Sequence, residues 1–103
     1  MVDVELNDLK REFLDEAREK VDEMQSALES APVQSFDRLT YLAHQLKGAG
    51  GSYGYQRISA DAAALENALE RRSAGNGANL DAQIQQHVVN LRLEIDRCAR
   101  ELN

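Results

Sequence analysis

The chain has 103 residues, 43% of them apolar, and carries twelve basic against eighteen acidic side chains for a formal net charge of −6. That length suits one domain with a real core, and the apolar share excludes a disordered chain. Scattered cations on an acidic chain argue against nucleic acid as a partner, and no apolar run reaches the roughly 18 residues that a membrane span needs.

The opening stretch "MVDVELNDLK" has neither the basic start nor the apolar centre of a signal peptide. A soluble, cytoplasmic protein or an excised domain is therefore expected. From there Leu6, Leu9, Phe13, Ala17, Val21, Met24 and Leu28 recur at threes and fours, which predicts an amphipathic helix over about residues 5–29, with Ser30 and Pro32 ending it. Ser35 is placed to cap a second helix over 35–53, with Asp37 in its first turn and Leu39, Leu42, Leu46, Ala49 and Tyr53 along one face. Gly54 marks its end. Ile58, Ala62, Leu65 and Leu69 define a third helix over 55–73, and "AGNGAN" is a loop. Asn79 is placed to cap a fourth over 79–102, along which Ile84, Val88, Leu91, Ile95, Cys98 and Leu102 step by four and three.

No segment alternates with period two, and the connections are short. The expected fold is all-α, an antiparallel up-and-down four-helix bundle with an aliphatic core. Cys98 stands alone, which excludes an internal disulfide and a thiolate metal cage and leaves it as a small buried residue.

One stretch conflicts with its own helix. "LAHQLKGAGGSYGY", from Leu42 to Tyr55, places glycines at 48, 50 and 51 inside the second helix. Together they cost roughly 2 to 3 kcal/mol relative to alanine. At about 100° per residue, His44 lies about 160° from the helix's apolar direction, with Lys47 about 60° to one side, Gly48 about 40° to the other and Gly51 nearly in line two turns on. An exposed imidazole thus has a cation one turn away and a lane of bare backbone beside it. A neutral imidazole can act as nucleophile, base or metal ligand, and the flanking lysine favours an arriving anion over a metal cation. The lane leaves room for a phosphoryl group and the protein surface that delivers it. Gly50 points the other way, toward a close helix contact.

Other motif readings fail on context. "GAGG" follows no strand, so it is no dinucleotide loop, and there is neither a P-loop nor the Glu-x-x-His pairs of a di-iron bundle. His87 sits beside the stripe of the fourth helix and reads as a solvated flank residue.

"AHQLKGAGGSYGY" resembles the signature of histidine phosphotransfer (HPt) domains, a His-x-[Leu/Ile]-Lys-Gly core followed by small residues and a Gly-aromatic pair. The match fixes His44, Leu46, Lys47, Gly48 and Gly54 together. Members of that family are four-helix bundles of about this length with the histidine on the second helix. The resemblance implies a phosphoryl carrier of two-component phosphorelays. His44 would be phosphorylated by a receiver aspartate, or by a hybrid-sensor or chemotaxis-type kinase, and would pass the group to another receiver. Lys47 would stabilise the incoming group and Gly48 would admit the partner, with Tyr41, Gln45 and Gly51 on the docking surface. Glu66, in "ALENAL", falls where the chemotaxis branch places a glutamate that hydrogen-bonds the histidine.

The chain has no nucleotide-binding segment and no acidic cluster for Mg²⁺. It is therefore expected to hold no cofactor of its own, the partner receiver supplying Mg²⁺, and to act as a monomeric carrier. Two other readings stay open at this point: a structural helical adaptor with an inert His44, which leaves the glycine lane unexplained, and a metal or cofactor bundle.

Overall fold

The computed structural model describes residues 4–29, 36–75 and 80–102. They form four helices, α1 (Val4–Glu29), α2 (Phe36–Ser52), α3 (Gln56–Ser73) and α4 (Leu80–Leu102), in an antiparallel bundle. The stop and cap residues assigned from the sequence, Ser30, Pro32, Ser35 and Asn79, lie outside the described residues. Each helix packs on two neighbours, closing the ring α1–α2–α3–α4. The molecule is a rod of 51 × 21 × 18 Å. Among the described residues, no helix is long and apolar enough to cross a membrane.

The stripes read from the sequence supply most of the core. Ala17, Val21 and Met24 of α1, Leu39, Leu42 and Leu46 of α2, Ile58, Ala62, Leu65 and Leu69 of α3, and Ile84, Val88, Leu91 and Ile95 of α4 are all buried. The α1 stripe fails at its start, where Leu6 and Leu9 are 40% and 48% exposed, while Leu14, off the expected spacing, is buried. Phe13 explains this, because its ring stacks on Tyr53 at 5.2 Å and on Tyr55 at 5.9 Å, at the α2–α3 turn. Residue 13 is therefore level with the end of the α2–α3 hairpin, and the turns of α1 before it run past the bundle.

The α2–α3 turn is tight and depends on Gly54. Its φ of +82° is a left-handed conformation that side chains disfavour. Tyr55 N–H donates to the Gly50 carbonyl at 2.8 Å and Gly54 N–H to that of Gly51 at 3.1 Å, the paired bonds of a Schellman C-cap. Gly50 is where the two helices meet. A Cβ there would stand 3.2 Å from the Ser59 backbone nitrogen and 3.3 Å from Ile58 Cγ2. The close helix contact expected at Gly50 is thus present, and it fixes α3 against the segment of α2 that carries His44.

Candidate functional site on the α2–α3 face

His44 emerges from the middle of α2 with 64% of its side chain exposed. The apolar residues that turn it outward are its neighbours Leu42, Ala43 and Leu46, all buried. Across the seam, Leu65 of α3 is buried, so Glu66 beside it lies at the helix–helix boundary, with its side chain 14% exposed. Its carboxylate is shared. Oε2 lies 2.9 Å from His44 Nδ1, and Oε1 lies 2.7 Å from Lys47 Nζ.

The protonation pattern follows from those contacts. The hydrogen bond from Lys47 is the main cause that holds the Glu66 carboxyl below its usual range; partial burial opposes it, and the hydrogen bond with His44 and the Lys47 charge add to the lowering. An ionised carboxylate only accepts, so the Nδ1 position of His44 must carry the hydrogen. The Nε2 lone pair is then the free one. The Nδ1 edge of the ring is the one turned to α3, on a side chain that is mostly exposed. The ring is oriented, and one defined nitrogen is left to react.

The two flanks of His44 differ. On the α3 flank stand Lys47 and Glu66, and below them Ser59 donates its hydroxyl to the Lys47 carbonyl at 2.8 Å. Gly51 leans this way, since a Cβ on it would meet Ser59 Oγ at 3.6 Å. On the α1 flank Gly48 is exposed, and a Cβ there would have nothing within 4 Å. Tyr41 follows on the same flank, 51% exposed, with Gln45 donating to its hydroxyl at 2.7 Å and the Arg38 guanidinium 5.5 Å from its ring centre. Arg38 is in turn held by Glu23 of α1 through hydrogen bonds of 2.6 and 3.0 Å.

Tyr41, His44, Gln45, Lys47, Gly48 and Gly51 of α2, together with Glu66 of α3, thus lie on or beside one face, whereas Gly50 is turned into the α3 contact. Sequence reasoning missed Ser59, Arg38 and Glu23. Arg38 sits one helical turn before Tyr41, which is a usable signal for a stacked cation, but nothing in the sequence pairs residues 23 and 38 or faces Ser59 toward a glycine.

The remaining polar residues sit elsewhere. His87 is partly buried on α4. Cys98 is buried, and its thiol is pushed up to about 11 by burial and by the hydrogen bond it gives to Glu94. Such a thiol is inert at neutral pH. Among the described residues, no group of three or more His, Cys, Asp or Glu is placed to hold a metal ion.

A two-helix face with an oriented imidazole, a lysine one turn on and open backbone beside it defines a class, the histidine-bearing four-helix bundle. Comparison with family models places the chain within it: residues 8–101 match the Hpt domain, and the chain belongs to that family. Searches of curated proteins and of solved structures returned no match.

Proposed function

We propose that the protein is a phosphoryl carrier in a two-component phosphorelay, taking the group onto Nε2 of His44 from a receiver aspartate or a kinase domain and passing it to another receiver aspartate. The observation that carries this reading is the Glu66 contact at Nδ1, which leaves Nε2 free beside the bare backbone of Gly48.

In the forward step the Nε2 lone pair attacks the phosphorus of an aspartyl phosphate. The P–Nε2 bond forms as the P–O bond to the aspartate breaks, and that carboxylate leaves with its electron pair. The ring becomes a phosphorylated imidazolium whose Nδ1 proton stays on the hydrogen bond to Glu66. The same carboxylate offsets the new positive charge. Lys47 spends one of its three N–H donors on Glu66, and the others are available to phosphoryl oxygens. Transfer onward reverses these bond changes, with the neutral imidazole as leaving group. The receiver supplies Mg²⁺ and most of the remaining stabilisation of the transferring group. Tyr41, Gln45 and Gly51 belong to the surface on which it docks.

Replacing His44 with Gln tests the assignment. The variant should keep the native helical circular dichroism and lose all labelling by a phosphorylated receiver. Label on the native protein should be acid-labile, alkali-stable and located on Nε2 by NMR. Label that persists in the variant, or that maps to His87, rules the assignment out.

A further inference from the structure

A carrier must choose its partner as well as hold the phosphoryl group, and the flanks of His44 divide these tasks. The α3 flank is closed, with Gly50 in contact with the α3 backbone, Ser59 bonded to α2, and Glu66 occupied by His44 and Lys47. The seam between α1 and α2 is open. Two clefts of about 300 and 290 Å³ lie along it, both bordered by Glu16, Lys20 and Gln45. Gly48 opens His44 toward this side.

The walls of that seam carry a definite chemistry. Glu12, Glu16, Glu19 and Glu23 step by four, three and four along one exposed side of α1, against Lys20 on α1 and Arg38 on α2. Arg38 is already committed to Glu23. Above the acidic rim stands Tyr41, a half-exposed aromatic ring fixed on one side by Arg38 and at its hydroxyl by Gln45. An aromatic side chain immobilised before binding loses little entropy on contact, which is the property of an interface anchor. An acidic rim selects a basic surface and speeds its arrival.

We infer that the α1–α2 groove is the partner-selecting surface of this protein, seating a receiver face that presents basic side chains to Glu16 and Glu19 and a recess for the Tyr41 ring. The inference rests on the carrier reading above. It assigns Glu23 and Arg38 as positioning residues that hold Tyr41, while Glu16 and Glu19 discriminate between receivers. Another cleft, of about 540 Å³ and lined by Arg11, Arg18, Arg92 and Arg100 together with Asp15 and Asp96, lies on the α1–α4 seam, across the bundle from the His44–Glu66 face. It serves as the control surface.

The test uses the full chain, a panel of isolated receiver domains phosphorylated by acetyl phosphate, and phosphoramidate as a small donor that needs no docking. With receivers that label the native protein, the double variant Glu16→Lys, Glu19→Lys should raise the apparent KM at least tenfold and change kcat by less than threefold. It should also flatten the salt dependence of transfer. Tyr41→Ala should raise KM similarly, and Arg38→Ala less. Arg100→Glu, on the control surface, should transfer as the native protein does, and phosphoramidate should label His44 in every variant. Native KM and salt dependence in both the charge-reversed and the Tyr41 variants overturn the inference and leave the carrier reading standing. A native protein that neither phosphoramidate nor any receiver labels overturns both.

Discussion

Glu66 joins two functional groups through one carboxylate, and the two ends can be separated by substitution. Glu66→Gln keeps the size but replaces one of the two carboxylate oxygens with a donor NH₂ group, so it cannot keep both contacts, which fall on different oxygens, Oε2 for His44 and Oε1 for Lys47. The tautomer of His44 should then shift from Nδ1–H toward Nε2–H, visible in long-range ¹H–¹⁵N spectra of the ring. Transfer should slow about tenfold, as expected for losing one charge-assisted hydrogen bond. Lys47→Ala should slow it more, by about a hundredfold, with receiver affinity nearly unchanged, because its charge is needed most while the phosphoryl group is in flight. An unaltered ring tautomer in the Glu66 variant would remove that residue from the site.

At the scale of the element, α2 contains glycines of opposite purpose two residues apart. Gly48 faces open space, so Gly48→Gln meets no steric obstacle and gains helix propensity, a change of a few tenths of a kcal/mol up to about 1. It should melt no lower than the native protein yet transfer poorly, since the new side chain fills the approach to Nε2. Gly50→Ala should do the reverse. Its Cβ would press on the α3 backbone at 3.2 Å, where nothing flexible can yield, and overpacking of this kind typically costs about 1 to 3 kcal/mol against a propensity gain of about 1. A melt and a timed transfer assay on both variants check the pair. Equal melting temperatures with equal transfer rates would show that Gly48 does not keep the approach open and that Gly50 does not set the helix contact.

Across the whole molecule, acid sensitivity is set by carboxylates that packing has moved in opposite directions. Glu94 is 7% exposed, and its carboxyl is held below the usual range chiefly by its hydrogen bonds from Arg97, with Cys98 and the charge of Arg57 contributing. Its folded value lies below its unfolded one. The stability it contributes is therefore complete above the unfolded value of about 4.3 and is lost as pH falls through the folded value. Asp61 on α3 is shifted upward by burial and by the charge of Glu94, so it weakens the fold at neutral pH and relaxes on protonation. Glu94→Gln should lower stability at pH 7 by about 1 to 2 kcal/mol and flatten the fall below pH 4, whereas Asp61→Asn should raise the melting temperature at pH 7. Melts from pH 3 to 7 check both. Glu23, on the surface with Arg38, adds little to this curve because solvent screens it.

The sequence by itself determined the four helices and the outward direction of His44, since both follow from local periodicity that each segment carries alone. It also determined the glycine lane, because a glycine inside a helix is a cost visible without any partner. What required the tertiary structure are the features made between helices. Leu6 and Leu9 belong to the apolar stripe in sequence, but the level at which Phe13 meets Tyr53 and Tyr55 leaves them beyond the bundle. Glu66 and His44 are 22 residues apart, Glu23 and Arg38 fifteen, and neither spacing encodes a meeting. The division of α2 into a closed flank and an open one arises from how tightly each neighbour packs, through contacts such as Gly50 on Ser59. Periodicity fixes which way a side chain leaves its own helix, and only the packing of helices decides what it finds there.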